Sequence, residues 1–316
     1  MKSIKLLAIC IISLFFIFIT SACSSEDASG EEGTNHEAET RMYEHELGET
    51  RIPVEPKRIV SDWYYGDMIA LGVRPVGLTS YVLNNHPYIE PDGTEDIGSA
   101  TEPNIEKIIS LNPDLIIMYG DNQKVYDQYS KIAPTIALDI YPDPKESVKT
   151  FGEILGKQEE AEDWITSFEE KIEAGKEKIA DAVGPDETFT IFNVWDKHLR
   201  VYGDINMGGY ILYHALGLKP QENVQKDIIE HATENAGTQI SLESMPDYAG
   251  DHLLLTVYKG EELAEEIKQG ALWQNLEAVK DKQVYEVDFD LLYNEDPVAM
   301  EEQLDVLVDL IVSGNQ

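Results

Sequence analysis

Hydrophobic and polar positions between residues 97 and 121 spell out one complete structural unit. Pro103-Asn104 supplies a helix start, with Asn104 as N-cap, and Ile105, Ile108, Ile109 and Leu111 recur at helical spacing until Asn112-Pro113 ends the run. Residues 115–118 follow as an unbroken apolar strand. Glu106 stays in the first turn, on the side away from the isoleucine stripe, and points to water. A similar alternation precedes it: Ile59-Val60 starts a strand that empties into residues 61–67, residues 68–71 are helical, Gly72 caps them, and residues 73–78 form the next strand. Further upstream, two short strands flank Gly48. Strand, helix and strand in such close succession describe an α/β lobe, in which ligands gather at the carboxyl ends of strands.

Downstream, a strand over residues 136–138 and a helix over 145–155 lead to Gly156 and then to a long helix, residues 158–183. Trp164, Phe168, Ile172, Ile179 and Val183 fall on one stripe of that helix, and the rest is mostly Glu and Lys. Gly184-Pro185-Asp186 breaks it. A hairpin, residues 188–195 and 199–202, turns at Asp196-Lys197-His198, and a glycine loop, residues 203–209, opens a helix over 210–216. Ser241 reads as an N-cap with Glu243 in the first turn, residues 253–257 and 284–287 as strands, and residues 297–311 as a last helix.

Candidate binding residues stand at the strand ends. Trp63, Tyr64, Tyr65, Tyr81 and Tyr119 all fall just past strands of the first lobe, and rings collected at one edge make a ligand wall because they bury much area at low entropic cost. In the second half Trp195 and Tyr202 flank Arg200, the only arginine after Arg74. A guanidinium fixed among rings grips carboxylate or chelate oxygens; the same residue also suits an exposed strand paired with one of many acids. Tyr258 and Tyr293 complete the aromatic candidates.

The 316 residues can bury two lobes of ordinary size, and a formal charge of -36 argues against nucleic acid and an anionic lipid surface as partners. Cysteines stand only at positions 10 and 23, so the body has no disulfide framework. Lys2 and Lys5 precede an apolar run over residues 6–19, too short to span a membrane comfortably and flanked like an export signal. Thr20-Ser21-Ala22-Cys23 resembles a lipoprotein processing box, with Thr20 where an aliphatic residue is usual, and residues 24–41 have the composition of a flexible acidic tether. Histidines at 36, 45, 86, 198, 214, 231 and 252 show no chelating spacing, which argues against capture of a bare metal ion. Without G-x-S-x-G, H-E-x-x-H or a P-loop the chain reads as a non-enzyme, an exported hydrolase being the alternative of a different class.

Residues Pro103, Asn104, Glu106, Lys107, Ile108, Leu111, Pro113, Asp114, Leu115, Ile116 and Ile117 form a segment that resembles one recurring in the class III binding proteins of metal-chelate importers. That family carries ferric siderophores, haem and cobalamin. Gly208, Gly209, Leu212, Tyr213, Gly217 and Leu218 match its hydroxamate-binding members, and the resemblance extends over residues 43–312. Some members hold their siderophore with a tryptophan and an arginine in that glycine loop, whereas Ile205 and Met207 stand here. The resemblance implies two Rossmann-like α/β lobes joined by one long spine helix, with the ligand cleft between the lobes. The chain then divides into a lipoprotein signal peptide (1–22), a tether (23–41), an N-terminal lobe (42–156), the spine (157–183) and a C-terminal lobe (184–316). It further implies a monomer, lipid-anchored through Cys23 on the outer face of the cell membrane, that hands a ferric siderophore to a permease pair. No cofactor is expected, since the siderophore holds its own iron; a hydroxamate or citrate-hydroxamate fits a cleft with so few cations, and haem and cobalamin remain alternatives. Glu106 and Glu243 match the family's glutamates that dock on the permease subunits.

Overall fold

The computed structural model describes residues 39–139, 141–231 and 237–314. The signal segment, Cys23 and all but the end of the tether lie outside them. Strand β1 (Thr40–His45) begins before that tether was expected to finish, and pairs antiparallel with β2 (Gly48–Pro53) as a flap beside the first lobe.

The first lobe is built on a parallel sheet of β3 (Ile59–Ser61), β4 (Gly77–Leu78), β5 (Glu95–Asp96), β6 (Leu115–Tyr119) and β7 (Thr135–Leu138), in the order β5-β4-β3-β6-β7. Every residue of β3 and β7, and all of β6 but its last, is buried, as a sheet covered on both faces requires. Asn104 caps the helix Ile105–Ser110 as its sequence predicts, accepting the Lys107 amide at 3.0 Å. Residues 73–76, read as strand, are an irregular segment that leads into the short β4.

The second lobe has a mixed sheet: β8 (Thr188–Trp195), β9 (His198–Tyr202), β10 (Lys219–Pro220), β11 (Thr238–Ile240), β12 (His252–Tyr258) and β13 (Val284–Glu286). Its order is β11-β9-β8-β12-β13, with β10 beside β8; β8, β10, β12 and β13 run parallel, and β9 pairs antiparallel with both β8 and β11. The segment Tyr210–Ala215 after the glycine loop is a π-helix, a wider coil than the α-helix expected there. Gly209 precedes it because a Cβ at that position would lie 2.2 Å from the Gly203 carbonyl oxygen.

The spine helix, Gln158–Ile179, ends sooner than its stripe suggests, the following residues to Val183 forming a turn. Its first turns pack Ala161 and Ile165 into the first lobe's core and its later turns pack Phe168, Ile172 and Ile179 into the second lobe's, with Trp164 touching both. A second crossing was not foreseen. The C-terminal helix, Pro297–Ser313, belongs to the second lobe's core through Leu304, Leu307 and Ile311, yet its first turn leaves that lobe, and Val298 packs with Tyr65, Leu78 and Val82 of the first.

Asp296 secures this crossing. One carboxylate oxygen accepts the Ala299 amide at 3.0 Å as the helix N-cap, and the other meets the buried His86 Nε2 at 2.7 Å, across 210 residues of sequence. Tyr88 adds a hydroxyl donation to the Leu291 carbonyl at 3.0 Å, and Tyr210 one to Asp143 at 3.0 Å. Gly66 makes room for the carboxylate: a Cβ there would fall 1.7 Å from Asp296 Oδ1. Replacing glycine by alanine in an open helix adds up to about 1 kcal/mol of stability. Gly66→Ala is expected to lose about 1–3 kcal/mol instead, because Asp296 must give up its cap and its histidine. Urea unfolding measures the difference, and a variant as stable as the parent would show that the seam does not depend on this contact.

Candidate functional site

β3 and β6 are the neighbouring strands at which the first sheet's order reverses, so the chain leaves them in opposite directions and opens a crevice at their carboxyl ends. Trp63 follows β3 and Tyr119 ends β6. The buried Asp62 joins the two ends: its carboxylate accepts the Tyr119 amide at 2.8 Å, and its carbonyl accepts the Thr79 hydroxyl at 2.6 Å. Burial pushes the Asp62 carboxyl up to about 7, against the pull of that amide. The indole so placed lies 6.4 Å from the Tyr81 ring, nearly parallel to it, and 5.8 Å from the Tyr119 ring. Trp63, Tyr81 and Tyr119 remain 36%, 49% and 43% exposed, which for three neighbouring rings marks a surface kept clear for contact.

The facing wall comes from the second lobe. Trp195 ends β8 directly beside Tyr258, which ends β12. Their rings are 4.7 Å apart, and Phe289 meets both, at 5.3 Å and 4.6 Å, before passing the stack on to Tyr293 at 5.0 Å. Arg200 stands opposite Asn193 on β9, diagonal to Trp195, and on that register its guanidinium lies over the indole with Cζ 4.7 Å from the ring centroid. Among the described residues no carboxylate lies within ion-pairing distance of it. A half-buried guanidinium oriented by an aromatic face, with its N–H groups uncommitted to an acid, is built to receive oxygen atoms from a ligand.

Between the walls is a cavity of about 280 Å³. Of the residues picked from the sequence it is lined by Trp63, Tyr64, Tyr81, Trp195, Arg200, Tyr202 and Tyr293. Tyr64 offers only part of its ring, since its hydroxyl donates to the Leu138 carbonyl at 2.7 Å and the residue is 3% exposed. Tyr119 and Tyr258 do not line the cavity; they back Trp63 and Trp195. Tyr65 is a correction. It is 1% exposed in the core with Leu83 and Ile89, its hydroxyl donating to the Glu90 carbonyl at 3.0 Å and accepting from Arg74 at 2.6 Å. Consecutive residues of a helix point about 100° apart, so a run of three rings entering the helix Tyr65–Ala70 cannot all face one cleft.

The residues that sequence reasoning passed over are polar. Asp67, Ser147, Asn206, Glu295 and Asp296 line the same cavity, with Tyr141 and Met207. Asp67 is buried and accepts the Ser147 hydroxyl; burial and the nearby Asp296 push its carboxyl up to about 7. Burial pushes Glu295 up to about 8, against a hydrogen bond from the Asn206 backbone. A signal for Asp296 was present, an acid directly before a proline at a helix start. Asn206 and Met207 both adopt positive φ, 63° and 53°, which sharpens the glycine loop and brings it to the cavity. Glu106 is exposed in the first turn of its helix, and Glu243 is exposed in a turn just before the one-turn helix Met245–Tyr248 rather than inside a helix. Among the described residues no group of three or more His, Cys, Asp or Glu side chains is arranged to hold a metal ion.

The chain is similar to known proteins. The model of the family described as "Periplasmic binding protein" matches residues 60–291. The chain is 33% identical to the iron(3+)-hydroxamate-binding protein YxeB of Bacillus subtilis, over 98% of this chain and 97% of that one. It is 35% identical to the iron(3+)-hydroxamate-binding protein FhuD of the same organism, over 96% and 97%. The solved structure of the FhuD protein from S. pseudintermedius superposes with a TM-score of 0.75 at 28% identity, covering 88% of this chain and all of that one. With two lobes meeting at an aromatic cleft and a family match across most of its length, the chain belongs to the periplasmic binding protein family.

Proposed function

We propose that this protein is the extracytoplasmic solute-binding component of an ABC importer, capturing a ferric siderophore of the hydroxamate or citrate-hydroxamate type and delivering it to a membrane permease pair for iron uptake. The observation that carries the reading is Arg200, stacked on Trp195 and facing a ring-walled cleft, in a chain similar over nearly its whole length to proteins named for binding iron(3+)-hydroxamates. A preformed chelate brings its own iron ligands, so the protein has to supply shape, flat apolar surface and a donor for the outward oxygens. The cleft has those three. A single cation among the cavity's acids suits a neutral or weakly charged chelate better than a strongly anionic tris-catecholate.

The remaining parts of the proposal concern the membrane. Cys23, processed and acylated, anchors the protein as a monomer on the outer face, with the acidic segment after it as tether. Glu106 in the first turn of a helix of one lobe and Glu243 in the turn before a short helix of the other, both exposed, dock on the two permease subunits, where a pair of fixed like charges sets register. Loss of membrane association in a Cys23→Ala strain, followed by fractionation and labelled-palmitate incorporation, tests the anchor.

Titration of purified protein with a panel of ferric siderophores, haemin and cobalamin, read by tryptophan quenching, tests the assignment: ferric hydroxamates are expected to bind without turnover. Arg200→Ala is expected to weaken that binding about 10–100-fold, the worth of one charge-assisted hydrogen bond, with an unchanged unfolding transition. Equal affinity would remove Arg200 from the site. Glu106→Ala combined with Glu243→Ala is expected to abolish cellular iron uptake while leaving chelate affinity unchanged; normal uptake would rule out docking through these acids.

A further inference from the structure

Among the described residues two buried side-chain polar atoms have no hydrogen-bond partner in the protein, the Tyr129 hydroxyl and Asn193 Oδ1. Tyr129 belongs to a core of the first lobe, away from the second wall of the site. Asn193 lies on β8, the middle strand of the second sheet, and is 0% exposed. An amide oxygen buried to that degree needs a donor.

The neighbours of that carboxamide fix which way it faces. Asn193 Nδ2 donates to Thr256 Oγ1 at 2.7 Å and lies 3.4 Å from the Thr256 carbonyl oxygen, which can only accept. The nitrogen is therefore turned to β12, where Thr256 stands beside Asn193, and the oxygen is turned away from it. On the other side of β8 runs β9, with Arg200 directly opposite Asn193. Residues paired in this way across an antiparallel ladder project from the same face of the sheet, with Cβ atoms about 4.5–5.5 Å apart. Ile191 and Trp195 share that face with Asn193 and pack with the spine helix, whereas Phe192 and Val194 alternate to the core on the other face. The free acceptor is thus turned toward the strand that carries the guanidinium of the site.

We infer that Asn193 is a positioning residue for Arg200: when a chelate engages the guanidinium, an inward N–H donates to Asn193 Oδ1, and this second contact sets the angle at which the outward N–H groups meet the ligand's oxygens. The inference rests on the ferric-hydroxamate reading and adds to it a residue that does not line the cavity. Trp195 alone cannot orient the group. A cation held over an aromatic face is kept at a fixed height, with Cζ 4.7 Å from the ring centroid here, yet it can slide across the ring and turn within its own plane at little cost. A hydrogen bond, by contrast, has direction. A guanidinium spreads its donors around the edge of a rigid plane, so fixing one N–H fixes where the others point. The indole thus sets the height of the donor fork and the carboxamide sets its heading, while the opposite edge is left to the cargo.

The test is a double-mutant cycle. Parent protein, Asn193→Leu, Arg200→Ala and the combination are each titrated with one linear ferric trihydroxamate, read by tryptophan quenching. Asn193→Leu is expected to weaken binding about 5–10-fold, the worth of one hydrogen bond, with no loss in the urea midpoint, because it removes a buried acceptor that no protein donor satisfies. In the Arg200→Ala protein the same substitution is expected to change affinity less than about twofold, since a residue that works through the guanidinium then has nothing to work on. Where the single substitution does not fold, Asn193→Leu with Thr256→Val replaces both members of the buried pair by apolar groups and serves in its place. Equal losses from Asn193→Leu with and without Arg200, or no loss in either, overturn the positioning role and leave chelate binding standing. Undiminished binding by Arg200→Ala takes the arginine out of the site and Asn193 with it. Failure of the parent protein to bind the complex overturns the underlying reading instead.

Discussion

Everything in this molecule that faces the ligand depends on how two independently twisted sheets are held at a constant distance, and the contact that does so is the carboxylate of Asp296. It terminates the C-terminal helix, pairs with a histidine of the other lobe, and occupies a niche that exists because residue 66 has no side chain. A buried carboxylate–imidazole contact adds little net stability when desolvation is counted, and its worth here lies in register: a shift of either lobe separates Asp296 from His86. Asp296 also lines the cavity, so the seam and the floor of the binding site are the same atoms.

The walls follow from strand topology. Where the first sheet reverses order, two strand ends diverge, and Asp62 bridges the gap by bonding a backbone amide of the second strand. In the other lobe two parallel strands end side by side, and the rings at their tips stack on one another before they meet any ligand. Each wall is thus preassembled within its own lobe, which lowers the ordering cost of binding and makes shape the main determinant of what fits.

The fold was legible in the sequence because it depends on periodicity, and periodicity is local. Buried strands such as Leu115–Tyr119, the Asn104 cap and the long stripe of the spine announce themselves within a dozen residues. The aromatic part of the site was legible in part for a related reason, since several rings collected at strand ends of an α/β lobe point to its crevice, although Tyr119 and Tyr258 back the lining rings and do not join them. Tyr65 broke that rule because a helix begins at that residue and turns it inward. The carboxyls of Asp67, Glu295 and Asp296 were not legible. In a chain with 60 acidic residues three more attract no notice, and what distinguishes them is burial, a property of tertiary packing with no local signature. The second crossing between the lobes was hidden likewise, because a partner 210 positions away leaves no trace in spacing.

That second crossing changes the mechanics of the clamp. A single helix between two bodies is a hinge pin about which they can swing, whereas the spine of 22 residues and a C-terminal rod of 17, salt-bridged to one another through Lys171, behave as a paired leaf spring. Such a spring yields to slight flexure and resists rotation.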